Sequence, residues 1–298
     1  MLTRSAGFAD LEQLSTVALG RVALHHKQPF RLDQLLEAYG SVFSLTKAGL
    51  EADLPEEALQ IALGTEAETA TDRFTRQLAT YDSLSGNGKD PLWTAVTAYY
   101  AGFFAANALM LACGRGFVNV NPSAVSAATS RGLYSVSVSP ASGAGQLNLA
   151  LSKIDQSSHR ATWHELQVLV DFLSAVAGNG PRERQTFTAL SALIARPAWL
   201  SQARNEINYD FARDPFQASL WPRELPHLPD EAAVEARILT IIAPRAEQRF
   251  ELVIASCASL LGGLFQGFAR RGGKMDPQRK QRRLGCIAAC PHLTWLMM

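Results

Sequence analysis

At 298 residues, 47% of them hydrophobic, the chain is long enough to bury a sizeable core, as one large domain or two small ones. Its 28 basic and 27 acidic residues leave a net charge of +1, which excludes a molecule-wide field that would by itself draw nucleic acid or a membrane. Four scattered cysteines, Cys113, Cys257, Cys286 and Cys290, argue for reduced thiols in a cytosolic protein rather than a disulfide framework.

The opening Met1–Asp10 has no apolar run followed by a small-residue cleavage site, so a cytoplasmic protein is expected. Leu11, Leu14, Val17, Ala18 and Val22 recur at helical spacing and predict a first helix, ended by Gln28-Pro29. His25 and His26 are adjacent, point a third of a turn apart, and cannot make the one-face pair of a metal-binding helix. Leu32, Leu35, Leu36, Tyr39, Val42 and Phe43 repeat the pattern, and Pro55-Glu56-Glu57 has the proline and acids of a helix start. Residues 1–82 therefore read as an N-terminal helical region.

A turn-rich loop, Ser83–Asp90, opens residues 83–272, which read as a helical bundle. Asp90-Pro91 starts a long helix whose bulk is Leu92, Val96, Tyr99, Tyr100, Phe103, Met110 and Leu111, with alanines between them that let neighbours approach. Leu92–Gly114 and Leu252–Ala269 carry no charge, and the first is long enough to span a bilayer. Thr94, Thr97 and Asn107 in one, and Ser256, Ser259 and Gln266 in the other, fit buried helices, so no membrane contact is expected.

Alternation replaces helical spacing at Phe117–Asn121, Leu133–Val138 and Gln146–Leu151, which predicts a small β insertion at about 115–152. Trp163, Leu166, Val170 and Leu173 return to helical spacing. His164-Glu165 lacks the second histidine of a metalloprotease helix, since position 168 is valine. The expected fold class is mainly α, a helical bundle with a small β insertion. Residues 273–298 form a basic tail: Arg270–Arg283 holds seven basic residues against Asp276, which reads as solvated or disordered terminal charge or as a phosphate-contacting arm. Cys286, Cys290 and His292 supply three metal ligands with no fourth nearby, so neither a metal nor a cofactor is expected.

The chemistry concentrates between Pro197 and Arg213. Pro197 suits a first helical position, and Leu200, Ala203, Ile207 and Phe211 form an apolar stripe. Arg204 and Asn208 lie one turn apart on its edge, with Asn205 and Tyr209 further round. An arginine beside a core stripe keeps its proton and needs a carboxylate, carbonyl or phosphate, so Arg204 either bridges helices or binds phosphate.

Ala98–Leu109, rich in tyrosine, phenylalanine and alanine, and Arg204-Asn-Glu-Ile-Asn-Tyr209 together resemble the HEPN superfamily of helical bundles found in prokaryotic toxins and phage defence. The family motif is an arginine followed, after four to six positions, by a histidine; here those positions hold Tyr209, Asp210 and Phe211. The resemblance implies a metal-independent endoribonuclease acting as a homodimer on RNA, with Arg204, Asn205, Asn208 and Tyr209 as its site. Tyr209 is a poor substitute base, because a free phenol titrates near ~10. The missing histidine leaves a second reading open: an inactive scaffold that binds RNA or a nucleotide, or regulates a protein partner.

Overall fold

The computed structural model describes residues 18–19, 30–85, 91–175, 187, 190–195, 198–205, 253–254, 256–257, 260–261, 264 and 276–287. Helix α1 (Leu32–Tyr39) leads into strands β1 (Ser44–Leu45) and β2 (Leu50–Pro55). Two long helices, α2 (Glu56–Ser85) and α3 (Pro91–Ala112), precede β3 (Arg115–Val120), β4 (Gly132–Pro140) and β5 (Gln146–Ile154). Helices α4 (Ser158–Ala175), α5 (Ala198–Asn205) and α6 (Pro277–Ile287) follow.

This is a mixed α/β protein, which corrects the expectation of a mainly α bundle with a small β insertion. The strands form one five-stranded antiparallel sheet in the order β1-β2-β5-β4-β3. Two of them come from the stretch whose spacing predicted only helix. In β2 the alternation Leu50, Ala52, Leu54 covers just three positions, too few to stand out in the sequence. Its partner is far along the chain: Leu50 faces Leu151, Ala52 faces Leu149 and Leu54 faces Leu147. All six are buried. Each fully buried leucine contributes about 1.5–3 kcal/mol, which outweighs the weak local preference for helix. The opposite face carries Glu51, Asp53, Ser137 and Asn119, half-buried or exposed.

Glycines shape two of the turns. Gly49, between β1 and β2, has φ +140°, and a Cβ there would stand 2.2 Å from the Leu151 carbonyl oxygen. Gly114 has φ +73° and turns the chain out of α3 into β3. Beyond them α2 and α3 pack together along their length in the same core as the apolar face of the sheet. Ala101, Ala105, Ala106 and Ala108 of α3 are fully buried, as expected of a helix apolar on all sides. Leu92–Ala112 is long and apolar enough to cross a membrane, and 78% of its most apolar window is buried inside the protein.

The tail takes a form that charge alone did not indicate. Residues Pro277–Ile287 are helical and α6 docks on α2. Arg283 is 1% exposed, with its Nε 2.6 Å from Asp72 and its terminal nitrogens on the Glu68 carboxylate, while Arg279 Nε lies 2.9 Å from Asp72. Burial pushes the Glu68 carboxyl up from its ordinary range, against the pull of Arg283 and Arg279. Two of the seven basic residues of this stretch are therefore spent on carboxylates of the same chain. Most of the first predicted helix, His25 and His26, and Cys290 with His292 lie outside the described residues.

Candidate active site

Helix α5 is anchored by Leu200, fully buried in the core, and packs against α4. Arg204 is half-buried and its Nη1 donates to Asn205 Oδ1 at 3.1 Å; Asn205 is exposed. These two predicted site residues are brought together. Asn208 and Tyr209 lie outside the described residues, as does Asp210.

The charge of Arg204 falls on a side chain absent from the predicted set, His159. That histidine stands in the first turn of α4, one turn before Trp163 on the same face. Trp163 is fully buried and its Nε1–H donates to the Tyr99 hydroxyl oxygen at 3.1 Å. The same hydroxyl lies 3.1 Å from His159 Nδ1. An indole only donates, so Tyr99 accepts from Trp163; between Tyr99 and His159 the proton belongs to either group according to the imidazole tautomer. Tyr99 comes from α3, and the hydrogen-bonded trio thus ties α3 to α4.

Aromatic rings wall the histidine. The Phe103 ring is centred 4.5 Å from it at a tilt of 35°, and the Tyr100 ring stands 6.0 Å away nearly edge-on at 71°. Tyr99 stacks on Phe103 at 6.3 Å and 16°. Helical spacing explains the cluster: Tyr99, Tyr100 and Phe103 share one side of α3.

Burial is the larger cause holding the His159 imidazole below its ordinary pKa, and the Arg204 charge adds to it. The positive end of the α4 backbone dipole acts in the same direction. His159 is therefore neutral at pH 7, the form a proton acceptor requires. Burial raises the Tyr99 phenol well above its ordinary value; the Trp163 hydrogen bond and Arg204 oppose that shift and Tyr100 adds to it. Tyr99 stays protonated, able to orient His159 but not to act as a base. A neutral imidazole oriented through one ring nitrogen, with a guanidinium in range, can take a proton from a hydroxyl beside an anionic phosphate.

Other candidate groups go elsewhere. Glu165 of the His164-Glu165 pair receives Arg115 Nη1 at 3.2 Å, which joins α4 to β3. The Cys113 and Cys257 thiols are buried and pushed up to about 12, which makes them inert as nucleophiles at neutral pH. His159 escaped the motif reading because that reading looked for a histidine downstream of Arg204 on its own helix. A local signal existed in a histidine one turn from a tryptophan at a helix start, but nothing in it pointed to Arg204. No protein-family model, curated protein or solved structure matches the chain.

Proposed function

We propose that the chain is an RNA-directed, metal-independent endoribonuclease of HEPN-like type, in which His159 takes the part of the histidine missing after Arg204. The observation that carries this reading is His159 itself: hydrogen-bonded to Tyr99 through Nδ1, lowered in pKa, and within the field of Arg204. With Nδ1–H donating to the Tyr99 oxygen, Nε2 presents its lone pair to the substrate. It accepts the proton of an RNA 2′-hydroxyl as that oxygen attacks the adjacent phosphorus. The bond to the 5′-oxygen breaks, that oxygen takes a proton from solvent, and a 2′,3′-cyclic phosphate remains. Arg204 balances the charge that builds on the phosphorane, and Asn205 holds its guanidinium. Work as a cytoplasmic homodimer in a toxin or phage-defence system belongs to the same proposal, and the exposed Val168 and Phe172, one turn apart on α4, offer it an apolar contact.

The test is cleavage of a mixed RNA pool in excess chelator. Native protein should leave 2′,3′-cyclic phosphate ends. His159→Asn should cut the rate by about 10²–10⁴-fold, and Arg204→Ala by about 10²–10³-fold. Undiminished cleavage by His159→Asn removes His159 from the mechanism. Native protein that shifts RNA on a gel without cutting it supports the inactive scaffold.

A further inference from the structure

Phe103, whose ring meets His159, also helps line a half-open cleft of about 160 Å³ between α2, α3 and β3. Apolar cavities of roughly 150 Å³ accept one aromatic ring, and drug-sized pockets begin near ~300 Å³, so this cleft suits a single flat ring system. Phe103, Phe104 and Phe117 supply aromatic surface, all half-buried. Arg73 stands at the rim with its guanidinium carbon 5.6 Å from the centre of the Phe104 ring. Asn107, also in the lining, donates one N–H to the Phe103 carbonyl at 2.8 Å. Glu66 accepts Arg31 Nε at 3.1 Å on Oε1, and its Oε2 has no protein hydrogen bond among the described residues.

The geometry points to a nucleobase subsite selective for guanine, which reads the base beside the phosphate that His159 and Arg204 address; it rests on the ribonuclease reading above. Flat aromatic walls and a rim arginine bind any base by stacking. The carboxylate makes the choice. Guanine alone among the four RNA bases presents two adjacent N–H donors on its pairing edge, from N1 and the exocyclic amine, and the Glu66 carboxylate meets them with two acceptor oxygens. Adenine and cytosine offer one amine beside a ring acceptor, and that acceptor is repelled. Arg73 at the rim meets the phosphate of the same nucleotide.

The experiment is calorimetric titration of the full chain with GMP, AMP, CMP, UMP and IMP, the last lacking the exocyclic amine. GMP should bind about tenfold more tightly than any of the others. Glu66→Gln keeps an acceptor for Arg31 and should erase that margin, while Phe104→Leu should weaken all five ligands about 5- to 100-fold. Thermal melts verify that the variants are folded, and the IMP comparison needs no variant. Equal binding of GMP and IMP, equal binding of all five, or no binding overturns the subsite. RNA cleavage with no base preference and no response to Glu66→Gln overturns the subsite and leaves the ribonuclease standing. Selective GMP binding without cleavage does the reverse.

Discussion

Arg283 on α6 and Arg204 on α5 present the same functional group in opposite settings. Arg283 is 1% exposed and boxed in by Glu68 and Asp72, so its charge is consumed within the protein. Arg204 is half-buried, meets the neutral amide of Asn205, and projects its field onto His159 and Tyr99. The first arrangement joins two helices; the second adjusts groups able to hold or move a proton. In sequence both stretches offered an anion site, Arg204 as a bridge between helices or a phosphate ligand and the basic tail as solvated charge or a phosphate-contacting arm, and charge alone did not separate them. Local charge density is a weaker guide than what stands opposite each charge.

The comparison is best broken by exchanging stability for activity. Arg283→Ala leaves the buried Glu68, among the described residues, with only the longer 3.6 Å contact to Arg279, and should cost about 3–5 kcal/mol in urea denaturation. Arg204→Ala should cost well under a third of that while cutting the cleavage rate by about 10²–10³-fold. Equal stability losses would make Arg204 a strut as well.

Tyr99→Phe tests the relay rather than the charge. It leaves the ring stacking in place but takes the acceptor from the buried Trp163 Nε1 and the partner from His159 Nδ1. An unsatisfied buried donor costs about 1–3 kcal/mol, so the midpoint of unfolding should fall and the cleavage rate with it. A variant as stable as the native chain would mean that the Tyr99 hydroxyl ties nothing together.

The smallest effect is a pH dependence. His159 is lowered in the folded state, so the unfolded chain takes up its proton first as pH falls past about 6.5. Its contribution to stability is complete above that value and is lost as pH drops through the folded pKa. Denaturation midpoints measured between pH 7.5 and 5 should therefore fall more steeply for native protein than for His159→Asn. Parallel slopes would place the imidazole in an ordinary solvated setting. Cleavage should follow the same group, rising with pH and levelling off below 6.5.

Much of the fold was legible in local pattern. The spacing in α1, the long uncharged run of α3, the Trp163–Leu173 periodicity of α4 and the alternation in β3, β4 and β5 all predicted elements that exist, with boundaries shifted by a few residues. Arg204 and Asn205 were legible as a polar helix edge, and they do meet. The sheet strands β1 and β2 were not, because three alternating residues between helical runs carry too little signal.

What the sequence determined by itself was whatever depends on neighbours three or four positions apart, or two: which faces are apolar, where helices begin, where the chain turns. Tertiary structure alone decided which faces meet. It put β2 against β5, Arg283 against Glu68, and α5 beside α4, where the Arg204 charge reaches His159. The physical reason is that burial and Coulomb attraction act through space on side chains far apart along the chain. A pattern of short sequence range cannot encode which distant partner satisfies them.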